Sequence, residues 1–389
     1  MTKKYSLIKK IVSLYINPLK TMSYTPSNVC RLISNFISAF RSKPTAAYPM
    51  GLFIEPSGHC NIRCKTCVTV DYRTRDKGLM EYEKYIKIVD AVKPAYLVLG
   101  GYGEPTMNKN YFDMIRYAKS KKVNVKSVTN ATLLDEKKAE ELVLSGLDLL
   151  NISLDGATKE IFEKVRVGAD YDTVVRNIKL VIEAKKRFNK KKPAMNIDMT
   201  LIKDNVHEIS KLIQLCHNEF GVEPVFSLFM LYDKDDKKDM ALTDAPEIRQ
   251  HLIDGIKEAE KVGYKSSISS LSINLEVLKM KYTKKVTSPC FLPWLGLNVT
   301  WDGRAFPCCY FYDCQIDLGN VFDEGFESVW NGSKYQEFRR SLAKSRQSIK
   351  VCSLCTIEDE GLNEIFRKIV TVCPPIKKLS SIPFDTIHK

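Results

Sequence analysis

Leu52-Phe53-Ile54, followed by Cys60-Asn61-Ile62-Arg63-Cys64-Lys65-Thr66-Cys67, decides how this 389-residue chain is read. The apolar triplet reads as a short strand, and the cysteines fall on the loop just after it. Their spacing is C-x3-C-x2-C. Three thiolates on so short a loop can hold one face of an iron–sulfur cube. One iron is then left without a protein thiolate, and an open coordination position is where a metal centre does chemistry. A structural zinc site is the alternative. Such sites use four ligands in two pairs, and this triplet has no nearby fourth.

Outward from that loop, strand-like runs alternate with helical patterns. The strands are expected at Gly51–Glu55, Tyr96–Leu99, Val123–Val128, Leu149–Leu154, Ala194–Leu201 and Pro224–Met230. Helical spacing occupies Glu81–Val92, Lys109–Lys121, Asp135–Ser145, Tyr171–Arg187 and Asn205–Phe220. This alternation predicts an α/β fold with a parallel sheet and helices outside it. Six strands are too few for a full eight-stranded barrel, so an open, partial barrel is expected, with its chemistry at the strands' C-terminal ends. Asp233–Asp239 reads as a solvated loop. A helix is expected over Ala245–Val262, then a β-prone stretch at Ile268–Leu275.

The bulk numbers exclude several classes. Twelve cysteines clustered in two places in so long a chain do not describe a secreted disulfide scaffold. No signal-peptide pattern and no bilayer-length apolar run is legible, so a cytoplasmic location is expected. The net charge is +14, but the first 49 residues hold eight Lys or Arg and no Asp or Glu. Basic residues are not interleaved with aromatics around the cysteines, so no nucleic-acid partner is expected. The basic leader reads as two short helices. Leu7, Ile8, Ile11, Val12 and Tyr15 stripe the first, and Pro18 ends it. Thr25-Pro26 opens the second, whose stripe is Val29, Leu32, Ile33, Phe36, Ile37 and Phe40. Such helices lie at a membrane interface or pack on the main domain; the stripe alone does not choose.

Each expected strand is followed by a polar or glycine-rich motif. After the second comes Gly100-Gly101-Tyr102-Gly103-Glu104-Pro105, after the third Thr129-Asn130, and at the end of the fourth Ser153-Leu154-Asp155-Gly156. Glycines admit a ligand close to the backbone. Glu104 can accept from an ammonium, and Ser153 and Asp155 from sugar hydroxyls. Together with the cysteine loop, and in this order, these motifs resemble the radical S-adenosylmethionine (radical SAM) superfamily. The resemblance implies a partial (βα)6 TIM-like barrel and a [4Fe–4S] cluster on Cys60, Cys64 and Cys67. It implies that S-adenosylmethionine chelates the fourth iron. Reductive cleavage then gives a 5′-deoxyadenosyl radical that abstracts a substrate hydrogen, with flavodoxin or ferredoxin as electron donor. Carried over, Gly103 and Glu104 face the methionyl amino group, and Gly101, which opens the same motif, is a further cofactor-binding residue. Ser153 and Asp155 hold ribose or carboxylate, and Asn130 and Arg166 the methionyl end. Two letters depart from the pattern. Thr66 stands where a bulky residue usually meets adenine, and Ala131 stands where glycine usually follows Thr-Asn.

A second cysteine set lies downstream. Cys290, Cys308, Cys352 and Cys355 frame Pro293-Trp294, the turn Asp302-Gly303, Leu318-Gly319-Asn320-Val321 and Val329-Trp330-Asn331-Gly332. This run resembles the SPASM domain in its single-cluster Twitch form. The resemblance implies one auxiliary [4Fe–4S] cluster on those four thiolates; four-cysteine zinc is the alternative. Cys309, Cys314 and Cys373 stay open as substitutes, and Cys30 and Cys216 read as helix-face or core thiols.

The expected division is a leader at 1–47, the barrel at 48–235, a helical/β connection at 236–285, the cysteine-rich α+β domain at 286–360 and a C-terminal helix and tail at 361–389. The expected activity is a radical-mediated oxidation of a sugar-like or lipid-linked metabolite. The alternatives are SPASM-type peptide maturation and a non-catalytic iron–sulfur or zinc protein that binds a partner. A leader at the membrane's inner face would suit a lipid-linked substrate. No residue is nominated as catalytic acid or base.

Overall fold

Thr25 accepts a hydrogen bond from the Asn28 amide (3.2 Å) and Pro26 takes the first helical position, so α1 runs Pro26–Phe40. The structure is a computed structural model and describes residues 25–67, 76–229, 237–281, 290–309, 311 and 316–355. The first leader helix expected at Leu7–Tyr15, Cys314, Cys373 and the C-terminal helix and tail lie outside the described residues. The middle of the α1 stripe meets protein, while Val29 and Phe40 at its ends are exposed. Phe36 is buried edge-on against Phe291 (6.3 Å between centroids), and Asn35 Nδ2 donates to the Tyr48 carbonyl (3.0 Å). The Arg31 guanidinium donates to the Val92 and Lys93 carbonyls at 2.9 and 2.8 Å, satisfying the C-terminal end of a second helix. Among the described residues no helix is long and apolar enough to cross a membrane.

The expected strands and most expected helices follow within two residues. The strands Arg63–Cys64 and Arg166–Val167 and the helix Lys159–Val165 were not expected, and the helix expected over Asn205–Phe220 is α-helical only over Ile209–Leu215, between a 3-10 turn and a π turn. They run β1 (Gly51–Ile54), β2 (Arg63–Cys64), α2 (Tyr82–Val92), β3 (Tyr96–Leu99), α3 (Tyr111–Ser120) and β4 (Asn124–Thr129). Next come α4 (Glu136–Leu144), β5 (Leu149–Ser153), α5 (Lys159–Val165), β6 (Arg166–Val167), α6 (Tyr171–Arg187), β7 (Ala194–Leu201), α7 (Ile209–Leu215) and β8 (Pro224–Leu228). Strands β1, β3, β4, β5, β7 and β8 pair in parallel in that order, which is the six-stranded partial barrel. Burial alternates along each strand. Leu52, Ile54, Leu97, Leu99, Val125, Leu150, Ile152, Ile197 and Met199 are sealed under the helices. Each contributes about 1.5–3 kcal/mol when fully buried. Their neighbours Phe53, Val98, Val128, Asn151, Ser153, Asn196 and Asp198 alternate onto the other face of the sheet, the barrel interior.

One expectation is corrected. Ile268–Leu275 is not β-structure: it lies within α9 (Lys265–Lys281), which follows α8 (Pro246–Val262). Ser267, Ser270, Leu271, Asn274 and Leu278 share one buried face at helical spacing. Because that face mixes serine and asparagine with leucine, its period is hidden from an apolar count. Its polar members cap the edge of β8. Ser267 Oγ donates to the Pro224 carbonyl (2.6 Å), the Phe226 amide donates to Ser270 Oγ (3.2 Å), and Asn274 Nδ2 donates to the Phe226 carbonyl (3.0 Å). Gly255 lets α8 approach this layer, since a Cβ there would collide with Ile209 and press on Leu271.

The second cysteine region is built onto the same sheet. After α10 (Leu292–Leu295), β9 (Gly296–Val299) pairs in parallel with β1, from Gly51↔Gly296 to Ile54↔Val299. Strand β10 (Ala305–Phe306) returns antiparallel through the Asp302-Gly303 turn, where Gly303 adopts φ 93°. Helices α11 (Phe326–Trp330), α12 (Ser333–Lys344) and α13 (Lys350–Leu354) complete a small cysteine-rich α+β unit.

Candidate active site and iron–sulfur centres

The cysteine loop is fixed from several sides. Strand β2 pairs antiparallel with β6, placing Cys64 opposite Arg166. The Lys65 amide donates to the Val165 carbonyl (2.8 Å), and the Cys67 amide to the Cys64 carbonyl (3.0 Å). Lys237 Nζ donates to the Lys65 and Cys67 carbonyls at 2.7 and 2.9 Å. Asn130 Nδ2 lies 3.8 Å from Cys60 Sγ and donates to Asn61 Oδ1 (3.1 Å). Burial pushes the Cys60 thiol up and the Cys64 thiol up to about 12, with Arg166 opposing the rise at Cys64. The charges of Cys60, Cys64 and Cys67 are mutually felt. Three thiols on one short loop are a donor set that fits one face of an iron–sulfur cube.

Gly103 and Glu104 press against this loop. The Glu104 amide donates to the His59 carbonyl (2.8 Å), and a Cβ on Gly103 would strike the Ser57 and His59 carbonyls. Glu104 is buried. Its Oε1 accepts from the Thr106 amide (3.2 Å), Thr106 Oγ1 (2.7 Å) and Thr129 Oγ1 (2.7 Å), and its Oε2 from the Asn130 amide (2.8 Å). A carboxylate oxygen offers two acceptor sites, so Oε2 retains one. Gly101 packs against Glu55, where an added Cβ would come within 2.8 Å of Cγ.

Asp155 and Arg166 form a buried ion pair, Nε to Oδ2 at 2.9 Å, while Asp155 Oδ1 accepts the Thr200 amide (2.7 Å). Burial works against the Arg166 charge, but Asp155 and Cys64 outweigh it and its pKa rises. Ser153 sits beside this pair in register with Asp198. The structure therefore brings Cys60, Cys64, Cys67, Glu104, Asn130, Asp155 and Arg166 into one connected network.

Sequence reasoning missed two residues here. Asp198 sits among neighbours that raise its carboxyl to about 7: burial first, then Asp155, against a hydrogen bond from Asn151 and the Arg166 charge. Its signal was the polar alternation Asn196, Asp198, Thr200 along β7. Buried Glu55 accepts the Tyr102 amide at Oε1 (3.1 Å) and the Trp301 amide at Oε2 (3.4 Å), bridging barrel and C-terminal unit. Tyr102 also donates its hydroxyl to the Cys309 carbonyl. A cavity of about 260 Å³ opens between these parts, walled by Phe53, Val98, Val128, Phe306 and Phe311, with Cys308 and Cys309 at one side.

In the second set, Cys352 and Cys355 sit on one turn and feel each other's charge; burial pushes the Cys352 thiol up to about 12. The Arg346 guanidinium donates to both their carbonyls, at 3.4 and 3.5 Å. Cys309 is exposed and lies within charge range of Cys355. Cys290 and Cys308 both act on the buried Tyr335. Four cysteine thiols are the donor set that closes an iron–sulfur cluster's coordination shell. Cys30 is exposed on α1, and Cys216 is wholly buried in the core.

Comparison with known proteins agrees with this architecture. The Radical SAM superfamily model matches residues 54–216, and the SPASM iron–sulfur cluster-binding domain model matches residues 290–356. The mycofactocin maturase MftC of Mycobacterium tuberculosis is 30% identical over 313 residues, covering 79% of this chain and 75% of that protein. The tungsten-containing aldehyde ferredoxin oxidoreductase cofactor-modifying protein of Pyrococcus furiosus is 23% identical over 326 residues, 79% of this chain and 87% of that one. Among solved structures, Streptococcus suis SuiB bound to precursor peptide SuiA superposes with a TM-score of 0.61 at 16% identity. That match covers 85% of this chain and 76% of SuiB. The fold is that of a radical enzyme built on a partial barrel. The chain belongs to the radical SAM superfamily and carries a C-terminal SPASM domain. Its cofactors are [4Fe–4S] clusters and S-adenosylmethionine.

Proposed function

We propose that this enzyme modifies a peptide. The observation that carries the reading is the 30% identity, over 75% of its length, to a protein named as a maturase. When bound, the cofactors supply one-electron cleavage of a sulfonium and hydrogen-atom abstraction from the substrate. In this reading Cys60, Cys64 and Cys67 hold the radical cluster, and Asn130 donates toward Cys60. The remaining acceptor site on Glu104 Oε2 would take the methionyl ammonium, while Gly101 and Gly103 let their loop pack against Glu55 and the Ser57 and His59 carbonyls. The Arg166 guanidinium, held by Asp155, meets the methionyl carboxylate, and Ser153 lies toward the ribose. Cys290, Cys308, Cys352 and Cys355 hold the auxiliary cluster. The cavity between Phe53 and Phe311 accepts an apolar peptide side chain, and a volume of about 260 Å³ holds one such group.

Oxidation of a hydroxylated, sugar-like or lipid-linked metabolite is the second reading. It is favoured by the polar interior residues Asn151, Asn196 and Asp198. Anaerobic reconstitution with S-adenosylmethionine and a reductant tests both. The enzyme is offered short peptides encoded beside its own gene and, separately, hydroxylated metabolites from the same gene neighbourhood. A mass change on a peptide, dependent on Cys60, Cys64 and Cys67, supports peptide modification. Turnover of the metabolites alone overturns it. Failure to release 5′-deoxyadenosine would sink both.

A further inference from the structure

The charge-dense run 233–239 reads from the sequence as a solvated loop, yet Lys237 within it is half-buried against the cysteine loop. Its Nζ donates to the carbonyls of Lys65 (2.7 Å) and Cys67 (2.9 Å), on either side of Thr66. Because a peptide unit is planar, a carbonyl drawn toward Lys237 leaves the following amide on the far side. The lysine therefore sets the orientation of the peptides after Lys65 and after Cys67. The contact crosses the mouth of the barrel. The cysteine loop follows β1 and Lys237 follows β8, the two ends of the six-strand series, which do not pair with each other. The turn that carries Lys237 is itself anchored. The Met240 amide donates to the Lys237 carbonyl (3.1 Å), and the Lys203 amide, after β7, donates to the Met240 carbonyl (3.0 Å). Val165, Ile202, Phe229 and Ala241 form a small buried cluster of their own, with Met240 packed on it. Val165 is also the residue whose carbonyl receives the Lys65 amide (2.8 Å). Lys65 is thus held by its amide, by its carbonyl and, through Asp204 (3.7 Å), by its side chain.

We propose that Lys237 is a positioning residue for the radical cluster. It clasps the cysteine loop across the barrel mouth in the shape that receives the cluster, and its charge holds the cluster's reduction potential up. The first effect is pre-organisation: thiols on a loop fixed from outside need less ordering when iron and sulfide arrive. The second is electrostatic. A cluster held by thiolates is anionic and gains one more negative charge on reduction, so an ammonium bonded to a ligand's own backbone favours the reduced form. The inference rests on the assignment of Cys60, Cys64 and Cys67 to the radical cluster, and does not depend on which substrate is modified.

The test uses the full-length enzyme, first cofactor-free and then reconstituted anaerobically with iron and sulfide. Lys237→Met keeps a long side chain and removes both the donors and the charge. In the cofactor-free variant the Lys65 and Cys67 amides are expected to exchange hydrogen several-fold faster than in wild type, while the amides of β4 keep their protection. Equal exchange at Lys65 and Cys67 overturns the clasp. After reconstitution, a redox titration followed by electron paramagnetic resonance is expected to place the radical cluster's midpoint at more negative potential, with the auxiliary midpoint unmoved. A radical-cluster midpoint equal to wild type at equal iron content overturns the role of the charge. Lys237→Arg keeps a charge and can reach both carbonyls, so it is expected to return exchange and midpoint toward wild type. Lys237→Gln keeps a donor without the charge and serves if Lys237→Met takes up no radical cluster. Its midpoint is expected below that of Lys237→Arg, and equal midpoints in those two variants overturn the charge. The triple variant Cys60→Ala/Cys64→Ala/Cys67→Ala checks the assignment itself. Loss of one cluster's iron supports it, whereas iron equal to wild type shows that the assignment has failed, apart from any effect of Lys237 on exchange in the cofactor-free chain.

Discussion

Ala131 holds φ at 58°, in the left-handed region that an alanine enters at a cost of about 1 kcal/mol. It is kept there by its neighbours. Its amide donates to Thr129 Oγ1 (3.0 Å), and its carbonyl accepts from Asn177 Nδ2 (2.8 Å). Ala131→Gly should therefore raise the free energy of urea unfolding, by about 0.5–1 kcal/mol once the looser unfolded chain is counted. An unchanged or lower value would show that the strain is not there. Asp198 gives a pH signature in the cofactor-free protein. Its carboxyl ionises near 4 when unfolded and near 7 when folded. Below pH 4 both states are protonated and its full contribution is present. Between those values the unfolded state releases the proton first, so stability is lost as pH rises, levelling off above 7. Asp198→Asn removes the titration. Its stability relative to wild type should climb from pH 4 to 7 in urea titrations and then stay flat. The cysteines, Glu104 and Asp155 were legible in the sequence because they come in fixed order with glycines and strand ends beside them. Glu55 and Asp198 were not, because a single polar letter in or beside a strand has no pattern until its neighbours in space are known.

At the scale of elements, the cluster loop depends on connections too short to carry a period. Strands β2 and β6 are two residues each, yet they set Cys64 against Arg166. No alternation can be read from two residues, whereas the six barrel strands announce themselves over four to eight. The short helix α5 was missed for the same reason, and α9 because its buried face is partly polar. The α5 start relies on a residue some fifty positions away. Glu208 Oε2 accepts the Ala157 amide (2.8 Å) and the Thr158 amide (3.1 Å), and Oε1 accepts Thr158 Oγ1 (2.9 Å). These bonds outweigh burial and lower its pKa. Glu208→Ala would leave buried donors unpaired and should cost about 2–3 kcal/mol by urea unfolding. The loop Asp155–Thr158 should then exchange amide hydrogens faster, while α8 is unaffected. Protection equal to wild type there would contradict the role given to Glu208.

For the whole molecule, barrel and cysteine-rich unit share one sheet. Strand β9 covers the β1 edge, and Trp301 fills the space between Gly58 and Gly78, where a Cβ on either would collide with its ring. Its indole donates to the Asp76 carbonyl (3.3 Å). A chain cut after Lys281 would bare the β1 edge and remove that support. It should lose the single cooperative thermal transition expected of the full chain and collect in the insoluble fraction. A truncated protein that melts as sharply as the full chain would show that the two parts fold separately. The opposite margin of the sheet is handled differently. Along β8 the serine and asparagine side chains of α9 already occupy the backbone groups that a neighbouring molecule would need for strand addition. This enzyme should therefore resist amyloid-like stacking from that side even when concentrated, without a row of charged gatekeepers to prevent it.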